Sequence, residues 1–242
     1  MKAGKSPYMQ EPANEAIASS LCKRLEIPHV SYALDVEDGE PVCRCPNMTD
    51  VNTEFVEAIR VYYTREPSYF DNNKYKHYCG CAQRLGVNNN SAMMDRMMLL
   101  DYLILNHDRH FKNFGILRNS QTLNAVSPAP VFDSGSSLFH EDGAAAVALP
   151  EKPKMRTECF DSLDKQLELI IDWNWFDARK LDGFAEECKE LLLSVPSVEK
   201  ERAERIAKIL EMRIQAAKQI AEEKIFRRET ETIVKTGGSF KR

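Results

Sequence analysis

No stretch of this chain approaches the ~20 consecutive apolar residues that cross a bilayer. Its opening residues, "MKAGKSPYMQEPANE", hold no apolar segment of the kind that marks a secretory signal. Neither a membrane protein nor a secreted one is expected, and the cytoplasm is the default location. A surplus of positive charge is also missing. The 33 Lys and Arg are outnumbered by 37 Asp and Glu, a net charge of −4, which argues against direct nucleic-acid binding because phosphate backbones call for a basic surplus or patch. The chain shows no internal repeat and no low-complexity linker, so its 242 residues bound one domain of good size or two small lobes. A disulfide framework is not expected either, since seven cysteines is an odd number and a cytosolic chain keeps its thiols reduced. The pairs Cys43/Cys45 and Cys79/Cys81 are closer than the two to four intervening residues that structural zinc sites favour.

What is present reads as a mixture of helices and short hairpins. Residues 11–26 predict a helix, with Pro12 in the first turn and Ile17, Leu21 and Leu25 at four-residue spacing. Residues 29–34 alternate like a strand, 37–41 form a turn, and "VCRC" is the returning strand. "TEFVEAIRVYY", residues 53–63, predicts a helix, and a further helix is expected within the polar segment 66–90. Residues 91–105, "SAMMDRMMLLDYLIL", are apolar nearly all round and belong in a core, their methionines serving as packing. "FGILR" and "TLNAV" predict a hairpin turning at "NSQ". From Asp161 the chain reads as helical. Trp173, Trp175 and Phe176 are expected to anchor one of those helices, and 199–228 form a long charged helix buried along Ile206, Leu210 and Ile214.

The chemistry concentrates where the apolar helix stops. "LILNHDRHFKNFGIL", residues 103–117, places His107, Asp108, Arg109, His110 and Asn113 between two buried-looking segments. Taken singly these residues are ordinary: Asp108 beside Arg109 makes a local ion pair, and Asn113 makes a turn. Their order says more. If 114–118 and 122–126 pair, the chain leaves near Asn113 and returns near the same end, so Asp133 comes back beside Asn113. Two oxygen-donor side chains then converge, as a hard cation such as magnesium requires. Asp108, five residues before Asn113, stands where a carboxylate orients or deprotonates an attacking hydroxyl.

This layout is similar to that of protein kinases, where a catalytic-loop Asp precedes a metal-binding Asn by five residues and a second metal-binding Asp follows a short hairpin. The local order D-R-H-x-x-N-F-G, with "FDSG" at 132–135, resembles the atypical kinases, namely the phosphoinositide-kinase-like group and above all the bacterial HipA-like kinases. The resemblance extends to "KAGKSPYMQEPANEAIASSLCKRLEIPHVSYAL", which looks like that family's lysine strand followed by a helix opening with Asn-Glu and then a hairpin. It implies that Lys2 holds the nucleotide phosphates and Glu15 fixes Lys2. Asp108 is then the catalytic base, His110 supports the phosphate or Asp108, and Asn113 and Asp133 bind magnesium. The implied fold is α+β and kinase-like. It has a remnant, truncated N-lobe at 1–65, without the glycine-rich phosphate loop, then a mostly helical C-lobe with small β-hairpins at 66–235 and a loose tail at 236–242. The implied activity is ATP- and magnesium-dependent phosphate transfer to a Ser or Thr hydroxyl of a protein, in a toxin–antitoxin or phage-associated setting with a DNA-binding antitoxin as partner. Two other readings stand beside it. One is a kinase-shaped binding module without turnover. The other is a metal-dependent phosphohydrolase built on His107, Asp108, His110 and Asp133. "AGKS" at 3–6 echoes a Walker A loop but lacks the glycine five residues before Lys5.

Overall fold

The computed structural model describes residues 2–67, 73–143, 147, 156–157 and 159–237. The chain opens with strand β1 (Lys2–Ala3) and helix α1 (Glu11–Arg24), followed by the hairpin β2 (Ala33–Glu37) and β3 (Glu40–Arg44). The turn between these strands is Asp38-Gly39, both at positive φ, the geometry that matches the twist of a two-residue hairpin. β1 adds to the other edge of β3, giving an antiparallel sheet in the order β1-β3-β2. The expected helix and hairpin are therefore both present, the hairpin a few residues later than its alternation suggested.

Residues 53–63 depart from expectation. Instead of one helix they form strand β4 (Thr53–Glu57) and then the short helix α2 (Ala58–Tyr62). The cause lies about 60 residues downstream. β4 pairs antiparallel with β5 (Gly115–Asn119), placing Phe55 opposite Leu117 and Val56 opposite Ile116. β5 pairs in turn with β6 (Ala125–Pro128), giving a second sheet in the order β4-β5-β6. The first amides of α2 donate to the chain just before β5: Ala58 N–H to the Phe114 carbonyl (2.8 Å) and Ile59 N–H to the Phe111 carbonyl (2.9 Å). Helix-start amides that would otherwise lack partners are thereby satisfied. Gly115 is obligatory in this sheet, since a Cβ there would stand 2.1 Å from the Val56 carbonyl oxygen.

Helix α3 (Lys74–Arg84) is the helix expected within 66–90. α4 (Asn90–Leu103) is the central helix, with Met94, Met97, Met98, Leu99, Leu100 and Leu103 all buried. Around it pack Ile17 and Leu21 of α1, Phe114 and Ile116 of the second sheet, and Ile206, Leu210 and Ile214 of the last helix. After the small ribbon β7 (Arg156–Thr157) and β8 (Asp161–Ser162) come α5 (Leu163–Leu169), α6 (Phe184–Leu193) and the 38-residue α7 (Lys200–Gly237). Trp173 and Phe176 are buried, but they lie in the connection before α6 and not on a helix. Of the tail expected at 236–242, residues 238–242 lie outside the described residues.

Candidate active site

The site is built on the end of α4. The helix stops at Leu103, Leu105 takes a left-handed φ of 55°, and the chain turns back so that Asn106 N–H donates to the Asp101 carbonyl (2.9 Å). The Asn106 amide also donates to the Asp101 carboxylate (2.8 Å), and its oxygen accepts from Asp108 N–H at 3.3 Å. Asp101 is fully buried, as is Arg109, and the two are paired at 2.9 Å. A buried carboxylate in an apolar helix needs a cation of this kind. Arg109 thus pairs two turns back on α4, not with its neighbour Asp108 as sequence adjacency suggested.

The rest of the guanidinium assembles the loop. One Arg109 Nη donates both to the Asn113 carbonyl (3.0 Å) and to the Phe132 carbonyl (2.7 Å), while the other reaches Ser134 Oγ (3.1 Å). Asn113 is therefore drawn against the residues flanking Asp133, and the Asn113 amide donates to the Asp108 carbonyl (3.4 Å). Burial works against the charge on Arg109, but the Asp101 carboxylate outweighs it and, with help from Cys159 and Asp133, holds the guanidinium above its ordinary value. Asp133 itself sits at φ 55°, a conformation that aspartate tolerates better than most residues. Strained backbone of this kind gathers at functional sites.

The segment after Asp133 is fixed from two sides. On α1, Glu15 is buried and accepts from Ser134 N–H (2.9 Å), and the Asn14 amide donates to the Gly135 (2.9 Å) and Ser137 (2.7 Å) carbonyls. Gln10, just ahead of α1, donates to the Leu138 carbonyl and to Asn14, each at 2.9 Å. From α7, Arg202 donates to the Phe139 carbonyl, to the Asp142 carbonyl (2.7 Å) and to the Gln10 side-chain oxygen (3.1 Å). Leu138 and Phe139 are both left-handed, and Leu138 N–H donates to the Ile104 carbonyl, tying the segment back to α4 (2.9 Å).

Of the residues singled out from sequence, Asp108, Asn113 and Asp133 come together around Arg109, and Glu15 reaches the same place from α1. Lys2 lies on β1 opposite Cys43, and its side chain lies outside the described residues. His110 is half-buried, its Nδ1 accepting from Lys112 N–H within the loop (3.2 Å). His107 and His140 stack, with ring centroids 5.9 Å apart and planes 26° from parallel. Among the described residues, no group of three or more His, Cys, Asp or Glu is arranged to hold a metal. This counts against both the phosphohydrolase arrangement of His107, Asp108, His110 and Asp133 and a zinc site on the paired cysteines. Asn113 with Asp133 is a different donor set. The Asn113 amide nitrogen is taken up by the Asp108 carbonyl, and by donor chemistry an amide oxygen with a carboxylate suits magnesium.

Sequence reasoning missed the roles of Arg109, Asn14, Gln10 and Arg202. Asp101 held the usable signal, as a charge inside an apolar helix implies a buried partner. The other three bind backbone carbonyls, which leave no trace in a sequence.

A buried-glutamate helix packed on a three-stranded sheet, joined to a helical body by a loop and hairpin that gather Asp108, Asn113 and Asp133, makes this a protein of kinase-like fold. Residues 1–220 match the profile of the HipA-like C-terminal domain, and the chain belongs to that family. Among solved structures, it is similar to the Helicobacter pylori proinflammatory kinase CtkA, with 19% identity, a TM-score of 0.63 and coverage of 90% of each chain. HipA of Shewanella oneidensis MR-1, solved with HipB and operator DNA, aligns at 12% identity and a TM-score of 0.47, over 88% of this chain and 57% of that one. No curated protein matches the chain. The family and the fold support a function of kinase type.

Proposed function

We propose that this chain catalyses ATP- and magnesium-dependent transfer of phosphate to a Ser or Thr hydroxyl of a protein. The observation that supports the reading is the single Arg109 nitrogen shared by the Asn113 and Phe132 carbonyls, which draws the backbone of Asn113 against the residue before Asp133. Asn113 and Asp133 are the residues that would hold magnesium, which supplies charge neutralisation for the phosphates. Lys2 is proposed to hold the phosphates and Glu15 to fix Lys2, with the Ser134 amide keeping Glu15 in place. In the transfer, the acceptor oxygen bonds to the γ-phosphorus as the bond to the β–γ bridging oxygen breaks. The acceptor's proton passes to Asp108, ADP leaves, and His110 supports the geometry of the loop. A DNA-binding protein of antitoxin type is proposed as partner, and the cytoplasm as location, on family membership alone. No helix of the described residues is long and apolar enough to cross a membrane.

Calorimetry with ATP, with and without magnesium, combined with labelled-phosphate transfer to a generic protein acceptor, tests this. Asp108→Asn should keep nucleotide affinity within a few-fold and lower turnover about 10²–10⁴-fold. Asp133→Ala should abolish the magnesium-dependent part of binding while the metal-free protein melts near its usual temperature. Binding without transfer, indifferent to Asp108→Asn, would overturn the enzyme and leave a binding module.

A further inference from the structure

A cavity of about 540 Å³ lies between the start of α3, the β7–β8 ribbon and α5, and the proposed reaction does not use it. Tyr75, Phe160 and Leu169 give it an apolar wall, while Lys74, Lys165 and Glu168 stand exposed at its mouth. An aromatic and aliphatic wall under a charged rim, at this volume, is the make-up of a site for an organic group.

The ribbon is held in shape before anything enters. Asp161 sits at φ 104°, a strained conformation that costs about 1–3 kcal/mol. Gln166, fully buried on α5, donates to Thr157 Oγ1 and to the Asp161 carbonyl (3.3 Å). Thr157 Oγ1 donates to the same carbonyl (2.9 Å), and Lys165 pairs with the Asp161 carboxylate at 2.9 Å. Strain fixed by this many bonds at a cavity wall marks a site more than a loose connection.

The wall is also continuous with the loop that carries Asp108. Phe160 packs on Tyr75 (ring centroids 5.7 Å) and on Phe111 (5.5 Å). Phe111 stands three residues past Asp108, so their Cα atoms lie within about 11 Å. From the cavity to Asp108 is then on the order of 20 Å, which about six extended residues cover. A serine or threonine hydroxyl offers little surface to recognise, and binding of remote parts of a substrate is what places so small a reacting group.

We propose that this cavity seats one apolar side chain of the acceptor protein, aliphatic or aromatic, about four to eight residues along the chain from the hydroxyl that receives phosphate. The acceptor is the occupant because Phe160 closes the same chain segment that begins at Asp133 and touches the loop of Asp108. The kinase reading supplies the hydroxyl in this proposal; the seat itself stands on the cavity and the ring contacts.

The test uses the whole chain and a set of peptides with one central Ser in a Gly-Ala-Asn background, each carrying a single Phe stepped through ten positions on either side. Binding is read by fluorescence anisotropy and transfer by labelled phosphate. Phe at four to eight residues from the Ser should improve both Kd and kcat/KM at least tenfold over the Phe-free peptide. Leu169→Glu puts a carboxylate against the apolar wall, and Glu168→Trp crowds the mouth from an exposed position. Each should cut the gain below twofold, while magnesium-ATP affinity and transfer to the Phe-free peptide stay within twofold. If Leu169→Glu fails to fold, Glu168→Trp decides. Peptides that gain nothing from Phe, or keep the gain in both variants, overturn the seat; transfer to the Phe-free peptide then leaves the kinase reading standing. Phe-dependent binding that the variants abolish, with no transfer to any peptide, upholds the seat and counts against the kinase reading. A parent that sediments as a dimer, dissociated by both variants and without a Phe preference, overturns the seat in favour of an interface between two copies.

Discussion

At the scale of single residues, Arg109 concentrates the most structure in one side chain. Its fully buried guanidinium meets the Asp101 carboxylate, the Asn113 and Phe132 carbonyls and Ser134 Oγ. Removing one half of such a pair leaves a charge in a dry interior. Arg109→Ala or Asp101→Asn should therefore lower stability by about 3–5 kcal/mol, read from urea unfolding. Arg109→Lys should not rescue, because an ammonium cannot form the planar fork that serves four acceptors at once. The double change Asp101→Leu with Arg109→Met separates holding the fold from placing the site. It should be more stable than either single variant, yet bind magnesium nucleotide more weakly than the parent, since nothing then joins Asn113 to Phe132. Full nucleotide affinity in the double variant would show that the guanidinium does not position these residues.

At the scale of elements, local chemistry and distant pairing contributed unequally to what the sequence disclosed. The β2–β3 hairpin was legible because Asp38-Gly39 is a turn whatever surrounds it. α4 was legible because its apolar run has no other home. β4 was not, since Phe55, Val56, Ala58, Ile59 and Val61 fit a helical face as well as a strand, and β5 decides between them. The order of Asp108, Asn113 and Asp133 was readable, but the carbonyl contacts that hold them were not. Gly115 joins these levels, because it lets β4 lie against β5 only two residues beyond Asn113. Gly115→Ala must push the Val56 carbonyl aside. It should destabilise by several times the roughly 0.5–1 kcal/mol of an ordinary Gly–Ala difference and weaken nucleotide binding along with it. Differential scanning calorimetry would read the first effect and nucleotide titration the second, and a normal melt would mean that β4 can shift without penalty.

At the scale of the whole molecule, α7 spans from the site to the far side of the core. Arg202 near its start grips the segment after Asp133. Arg213, eleven residues on, lies over the Tyr102 ring at 3.8 Å and donates to the Tyr102 carbonyl at the end of α4. Burial lowers both guanidinium values, and both arginines are held by ring packing and by carbonyl acceptors. Beyond Ala221 the helix has no fully buried side chain among the described residues, and Phe226 is 69% exposed. Ending the chain after Phe226 should change the melting temperature by no more than about 2 °C, whereas ending it before Lys200 should prevent folding. A large loss from the shorter cut would reveal a docking role for the last turns.

Many protein kinases are silenced by swinging the glutamate-bearing helix outward. In this chain the same rotation would strip partners from Ser134 N–H and from the Gly135, Ser137 and Leu138 carbonyls, all inside the protein. Each orphaned group costs about 1–3 kcal/mol, comparable in sum to the entire margin by which a domain stays folded. The helix is riveted where those kinases have a lever. A ligand that controls this protein must therefore act without moving α1, because the frame offers nothing to pry.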